Sequence, residues 1–214
     1  MENLDNIFIQ TFSQKSNKLP TLKEIKQHIC TDCASTDKFK ALFTNESFKF
    51  RNDYVLKSFP ILNEDFFKAL KTCTSSLNIK NTIELCAGIG WFSFWAEKYN
   101  IPINICSDNM TWDQHKNYLD HVICHDAVEC VEENKNIDMF ILAWPYMSET
   151  ANDIWNKMKK GQYLLYIGEG KNGCTANDDF FNSTYASKIK DTWNLNSSFV
   201  SFWGVHDHPT LFRK

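Results

Sequence analysis

Residues 82–93, which read TIELCAGIGWFS, constrain the fold more than any other segment of the 214-residue chain. An apolar run, a turn with two glycines and an aromatic-rich stretch predict a buried strand, a tight loop and the first turn of a helix. Gly88 and Gly90 remove side chains that would keep a ligand away from the backbone. The helix N-terminus offers free N–H groups to a carboxylate or phosphate. The segment therefore predicts a binding loop for a nucleotide-like cofactor.

Strands and helices alternate from residue 81 onwards. We predict strands at 82–86, 103–107, 121–124, 137–143 and 162–167, and helices at 91–99, 111–118, 150–160 and 178–191. The final runs SSFVSFWGV and PTLFRK predict two antiparallel strands, because the three residues between them (His206 to His208) are too few for a helical crossover. The prediction is an α/β fold: a Rossmann-like seven-stranded, mostly parallel sheet with helices on both faces and an antiparallel C-terminal strand.

The chain before residue 81 has a helical pattern instead. Capping residues and periodicity predict helices at about 21–30, 35–43 and 64–72, with Thr21 and Asn63 as two of the caps. The aromatic segment 48–60 is expected to fold back as a lid or brace. We therefore divide the chain into an N-terminal helical extension or lid at 1–80, on the substrate side, and a cofactor-binding domain at 81–214.

Composition narrows the class of partner. The net charge is -3 and the pI is near 6.1, so no cationic field indicates a nucleic acid, although that class stays open. The lysines at 157, 159 and 160 are typical of a solvated helix face. The acidic start of the chain and the lack of any run near the roughly 20 apolar residues of a membrane span predict a cytoplasmic protein with no membrane partner.

Eight cysteines are expected to stay reduced in an intracellular chain of this size. Those at 86, 106 and 124 lie in apolar runs and are predicted to be small core residues. No metal site is predicted. The His28-x-Cys30-x-x-Cys33 pattern lacks an obvious fourth ligand, and the histidines and cysteines at 121–130 straddle a strand whose neighbouring side chains point to opposite faces.

Three residues bear on the choice of cofactor. Asp108 ends the second strand, eighteen residues past Gly90, where a carboxylate can accept both ribose hydroxyls of a nucleoside. A nicotinamide dinucleotide would use the same loop and acid, but its fingerprint needs a third glycine where this chain has Ser93. Glu84 would repel pyrophosphate and could instead face a cationic amino group or sulfonium.

These motifs carry a family resemblance. ELCAGIG followed by SDN resembles motifs I and II of the class I S-adenosylmethionine-dependent methyltransferases, and the likeness covers about residues 82–213. His125-Asp126-Ala127 is similar to the family's acidic-plus-small motif, in which the acid contacts the adenine amino group. AWPY at 143–146 resembles an altered form of the Asn/Asp-Pro-Pro-Tyr motif of amino-group methyltransferases.

A narrower likeness extends to RNDY at 51–54, Phe59-Pro60, IGEG and a final FWGVHD, which resemble a group of methyltransferase-like proteins of unassigned substrate. That group usually has Trp-Pro-Pro-Tyr where this chain has one proline. Ala143 has no polar side chain to accept a hydrogen bond from a target amino group, so adenine-N6 specificity is not carried over.

The resemblance implies S-adenosylmethionine as cofactor and methyl transfer to an unidentified nitrogen or oxygen acceptor. The cofactor-binding candidates are Glu84, Cys86, Ala87, Gly88, Gly90, Asp108, Asn109, Asp126, Ala127 and Ala143. The catalytic candidates are Trp144, Pro145, Tyr146 and, as a base, Glu169. Trp144 could equally pack in the core, and Glu169 could serve only its local turn. Two alternatives stay open: a catalytically inactive binding module with this fold, and an NAD(P)-dependent oxidoreductase.

Overall fold

The computed structural model describes residues 8–28, 45–113 and 117–214. Within these ranges the strands are β1 (Thr82–Leu85), β2 (Ile105–Asp108), β3 (Val122–Cys124), β4 (Met139–Ala143), β5 (Tyr163–Gly168) and β6 (His208–Arg213). They form one sheet in the order β3-β2-β1-β4-β5-β6. The first five strands are parallel, as the alternation of strands and helices predicts. The predicted antiparallel C-terminal strand is β6, and it pairs with β5.

The helices of the described ranges are α1 (Leu22–His28), α2 (Asn45–Val55), α3 (Glu64–Ser76), α4 (Trp91–Lys98), α5 (Ala127–Glu133), α6 (Thr150–Lys157), α7 (Asp178–Thr184) and α8 (Leu195–Ser198). Two predicted caps are confirmed. The backbone N–H of Thr21 donates to the Glu24 carboxylate at 2.7 Å, and the Asn63 side chain accepts from the N–H of Phe66 at 2.9 Å. The helix predicted at 35–43 lies outside the described residues.

Several helix predictions need correction. The short helices α5 and α8 were not predicted, since seven and four residues are too few to show a clear period. The helix α2 was not predicted either, because the segment 48–60 was interpreted only as a lid or brace. The described residues of 111–118 are not helical. The helix predicted at 178–191 ends at Thr184, because the chain then pairs Lys188 with Phe212 at the edge of β6.

The sheet has six strands in the described chain, so the seventh predicted strand is wrong. Residues 199–205 form no strand. Val200 and Phe202 instead pack against Phe8, Tyr54 and Ile61 in a small cluster of their own. Burial against the N-terminal segment thus replaces the ladder of hydrogen bonds that the alternating pattern of SSFVSFWGV suggested.

Apolar side chains cover both faces of the sheet. Along β4, Met139 and Ile141 belong to one core cluster with α3 and α4, whereas Phe140 and Leu142 belong to a second with α5, α6 and α7. This alternation explains the continuous apolar run of β4, which is buried on both faces. Cys124 is exposed, contrary to the prediction, because β3 is the edge strand.

The N-terminal segment shares the first core cluster. Leu19, Leu62 and Phe66 pack with the α4 side chain Trp95, whose Nε1–H donates to the carbonyl of Thr11 at 2.7 Å. This packing brings the loop after α2 to the carboxyl edge of the sheet. Within the described residues, none of the helices has the length and apolar content to cross a membrane.

Candidate functional site

A cavity of about 570 Å³ opens at the carboxyl ends of β1, β2 and β4. The strand order reverses here, because β1 has β2 on one side and β4 on the other. Ligands of open parallel sheets bind at such reversal points. The volume is within the range of about 300–1,000 Å³ that is typical of small-molecule sites.

The glycine loop forms the floor of the cavity. The chain turns at Cys86, which has a left-handed backbone with φ 52°, and the Gly88 N–H donates to the Asp108 carboxylate at 2.9 Å. Gly90 also has a positive φ of 94° and begins α4. A Cβ at Gly90 would lie 2.4 Å from Cγ2 of Val122, so only glycine fits this turn.

Two carboxylates on the wall are already held by backbone N–H groups. Asp108 accepts from Gly88 and from Met110, the latter at 2.8 Å. Asp126 caps α5 through Oδ1, which accepts from Val128 and Glu129 at 2.8 and 3.1 Å. The backbone therefore fixes both acids before any ligand binds.

A third acid, Glu84, lies deeper. Its side chain is only 2% exposed and accepts a hydrogen bond from the Ser93 hydroxyl. Burial raises the pKa of Glu84 to about 7, although the Ser93 hydrogen bond opposes that shift. Ser93 stands where a dinucleotide fingerprint has its third glycine, and here it donates a hydrogen bond to the buried Glu84.

The structure brings most of the predicted cofactor residues together. Nine of the ten line the cavity: Glu84, Cys86, Ala87, Gly88, Asp108, Asn109, Asp126, Ala127 and Ala143. Gly90 is the exception, since it shapes the turn behind the wall. We call Glu84, Cys86, Gly88, Asp108 and Asp126 the acidic half of the cavity.

Aromatic rings line a second part of the wall, which also contains Ser58, Thr111 and Thr175. The Phe59 ring stacks between two tryptophans, with its centroid 5.0 Å from that of Trp144 and 5.7 Å from that of Trp112. The interplanar angles of 15° and 26° are those of parallel stacking. Tyr146 stands at the mouth and is 85% exposed. We call Phe59, Trp112, Trp144 and Tyr146 the aromatic half.

The fourth-strand motif supplies part of this half. Trp144, Pro145 and Tyr146 all line the cavity, and Trp144 has a left-handed backbone with φ 52°. The indole N–H of Trp144 donates to Oδ2 of Asp207 at 2.8 Å. The carbonyl of Pro145 is already engaged, at 3.4 Å, by the N–H of Ala176.

Glu169 lies outside the lining of the cavity. Its carboxylate accepts from the N–H groups of Cys174 at 2.7 Å and His206 at 3.2 Å. Burial alone would raise the pKa of Glu169, but these hydrogen bonds outweigh burial and hold it below its ordinary value. The structure therefore shows Glu169 bracing two loops.

Sequence reasoning missed Phe59, Trp112 and Asp207 as parts of this region. Phe59 lies in the aromatic segment that was interpreted as a lid or brace, and it is the lining of the cavity that reveals its place. Trp112 was assigned to a helix. No local signal links Asp207 to Trp144, since 63 residues separate them.

The metal-like patterns do not converge in the part of the chain that can be described. There, no group of three or more His, Cys, Asp or Glu side chains is arranged to hold a metal ion. His121 contacts the Gly90 carbonyl at 3.1 Å, whereas His125 contacts Glu133 at 3.2 Å. Cys30 and Cys33 lie outside the described residues.

Comparisons with known proteins give structural matches alone. No protein-family profile matches the chain, and no curated protein matches it. Among solved structures it is similar to a mutant of MtNAS in complex with S-adenosylmethionine, with a TM-score of 0.46 and 8% identity over 82% of this chain and 69% of the other.

Two further structures are similar at the same level. One is a SAM-dependent methyltransferase from Archaeoglobus fulgidus, with a TM-score of 0.42 and 11% identity over 79% of this chain and 100% of the other. The other is the 1,6-didemethyltoxoflavin-N1-methyltransferase of Burkholderia thailandensis, with a TM-score of 0.44 and 9% identity over 87% and 93%. With identities below 25% and TM-scores below 0.5, the function has to be inferred from the site itself.

Proposed function

We propose that this protein is an S-adenosylmethionine-dependent methyltransferase that acts on a nitrogen or oxygen acceptor. The charge of the cavity is the observation that carries the proposal. Glu84, Asp108 and Asp126 line it, and Lys57 is the one cationic side chain among its described lining residues. This balance suits a ligand with a sulfonium and an ammonium group and disfavours the two negative charges of a pyrophosphate.

The acidic half fits the parts of this cofactor. We assign Asp108 to the ribose hydroxyls and Asp126 to the adenine amino group, with Ala127 beside it. The Gly88 turn, Cys86 and Ala87 leave the backbone open to the amino acid portion, and Asn109 and Ala143 complete the wall. Glu84 lies beneath the loop and adds negative potential when its carboxyl group is ionised.

Bound S-adenosylmethionine supplies a methyl group that its sulfonium has already activated for displacement. The residues of this chain then have to orient the acceptor and exclude water rather than perform extensive acid–base chemistry. We propose that Trp144 and Tyr146 contact the acceptor and that buried Pro145 fixes the turn between them. The N-terminal extension is proposed to close this side, because Lys57 to Pro60 belong to the cavity wall.

A thermal-shift panel tests the cofactor assignment. S-adenosylmethionine or S-adenosylhomocysteine at about 100 times its Kd should raise the melting temperature by roughly 5–10 °C, since that excess stabilises the fold by about 2.7 kcal/mol. NADH and NADPH serve as the matched dinucleotides and should leave the melting temperature unchanged. A shift with NADH alone would support the oxidoreductase instead.

One observation favours a second candidate, a binding module without catalysis. Ala143 brings no polar side chain to the fourth-strand motif, and the carbonyl of Pro145 is occupied by Ala176. A screen of acceptors with a methyl-labelled donor separates the two candidates. Label transfer to any acceptor supports the enzyme, whereas cofactor binding without transfer to any of them supports the module.

A further inference from the structure

The orientation of Trp144 depends on one long-range contact. Its backbone has φ 52°, which is unfavourable for a bulky side chain, and its ring stacks on Phe59 at an interplanar angle of 15°. The indole N–H donates to Oδ2 of Asp207 at 2.8 Å. Asp207 immediately precedes the edge strand β6, so this hydrogen bond connects the edge of the sheet to the Trp144 ring at the cavity.

Asp207 lowers the stability of the fold at this position. The side chain is 6% exposed, and its Oδ1 has no hydrogen-bond partner among the described residues. Burial raises the pKa of Asp207, although the hydrogen bond from the Trp144 indole opposes the shift, and the negative charge of Glu169 adds to it. The Ser201 hydroxyl donates to the backbone carbonyl of Asp207 at 2.9 Å. A buried carboxylate with an unpartnered oxygen lowers stability, so folding alone does not explain its presence.

We propose that Asp207 is a positioning residue for Trp144, and that the fixed stack of Trp144, Phe59 and Trp112 is the binding surface for a planar aromatic acceptor. The substrate class rests on the function proposed above. The chemical argument is the shape of the surface: the three rings lie in nearly parallel planes beside the cavity, and Trp112 remains 38% exposed. Each stacking contact with a flat ligand tightens binding by about twofold to tenfold, a gain that a puckered ring does not obtain.

The matched probes are 2-naphthol and its fully saturated analogue, decahydro-2-naphthol. Both are neutral and carry one hydroxyl, so they differ chiefly in flatness. The protein is saturated with S-adenosylhomocysteine and labelled with 5-fluorotryptophan, and the W144F variant assigns the Trp144 resonance. We expect 2-naphthol to shift that resonance and to bind at least tenfold more tightly than the saturated probe.

Three variants separate positioning from general stability. Asp207→Leu removes the acceptor of the indole hydrogen bond, so it should displace the Trp144 resonance and weaken 2-naphthol at least tenfold. Asp207→Asn keeps an acceptor oxygen and should restore binding to within threefold of the wild type. Asp191→Leu is the control: Asp191 accepts from Trp193, Leu195 and Asn196 away from the cavity, so its loss should lower the melting temperature alone.

Each outcome decides the inference. Equal binding of the two probes would overturn the planar acceptor, and an unmoved Trp144 resonance in Asp207→Leu would overturn the positioning role. If Asp207→Leu does not fold, W144F removes the same N–H donor and should weaken 2-naphthol at least threefold; unchanged binding would contradict the inference. Binding of S-adenosylhomocysteine to the wild type is measured first by calorimetry. If the wild type does not bind it, the proposed function is refuted, and the role of Asp207 is not what failed.

Discussion

The acidic and aromatic halves of the cavity are built in different ways. The acidic half comes from the carboxyl ends of the neighbouring strands β1, β2 and β3 and the residues that follow them, and hydrogen bonds to backbone N–H groups fix Asp108 and Asp126. The aromatic half joins the loops at residues 59, 112 and 144, and Tyr146 at its edge is almost fully exposed. The comparison shows a packed acidic half, fixed by backbone hydrogen bonds, beside a more open aromatic half.

The largest effect on stability should come from Gly90, in the turn behind the acidic half. Gly90→Ala combines a positive φ of 94° with a Cβ 2.4 Å from Val122, so it should cost about 2–5 kcal/mol of unfolding free energy. Gly161→Ala is a matched control, with φ 97° and no atom within 4 Å of its Cβ, and should cost about 1 kcal/mol. Equal midpoints in urea denaturation would contradict the close approach.

The buried acid predicts a pH-dependent stability. The pKa of Glu84 is raised by burial from 4.5 to about 7, so the folded protein keeps a proton that the unfolded chain has lost. The free energy of unfolding should therefore fall as the pH rises from about 4.5 to about 7, by on the order of 3 kcal/mol. Glu84→Gln cannot titrate and should lack this component.

Urea denaturation of the ligand-free protein at about pH 5 and about pH 8 measures the difference. The free energy of unfolding of Glu84→Gln should rise relative to that of the wild type between about pH 5 and about pH 8. Parallel pH profiles would show that Glu84 is not buried as an isolated acid.

Asp108 and Asp138 are matched residues with which the role of the acidic half can be tested. Each accepts two backbone N–H groups: Asp108 at the carboxyl edge of the sheet, and Asp138 from Lys80 and Asn81 at the amino edge. Asp108→Ala should weaken S-adenosylhomocysteine tenfold to a hundredfold, because hydrogen bonds to a charged group contribute about 1.5–3 kcal/mol. Asp138→Ala should destabilise the fold and leave affinity within about twofold.

Calorimetric titration of both variants checks this contrast. Equal losses of affinity would mean that Asp108 acts only through the stability of the sheet.

The smallest effect on stability is expected for Tyr146, in the aromatic half. Tyr146 is 85% exposed, so Tyr146→Ala should change the free energy of unfolding by less than about 0.5 kcal/mol. Methyl transfer to an identified acceptor should fall, while S-adenosylhomocysteine affinity stays constant. A large loss of stability would mean that the aromatic half is as packed as the acidic one.

The sequence was sufficient to predict the parts of the fold that are encoded locally. The succession of β1 to β5 along the chain and the caps at Thr21 and Asn63 depend on patterns that span a few residues. Nine of the ten cofactor candidates line one cavity, and their role in binding a cofactor stays a prediction. Gly90 was placed in the wall because glycines of such loops commonly face the ligand. Its actual constraint is Val122, 32 residues further along, which no local pattern reveals.

The missing seventh strand and the missed partners of Trp144 share one physical cause, which is tertiary contact overriding local pattern. The alternating run at 197–205 has the period of a strand, but Val200 and Phe202 are buried against the N-terminal segment instead. The pairing of Trp144 with Asp207 and the stacking on Phe59 likewise join residues that are 63 and 85 positions apart. Spacing within a motif carries no information about such pairs.

A crystal structure of the protein grown with S-adenosylhomocysteine tests the central claim most directly. We predict density for the ligand in the cavity at the ends of β1, β2 and β4, with the ribose at Asp108 and the adenine beside Asp126. Ligand bound at another surface, or a cavity closed by the protein's own side chains, would contradict the account.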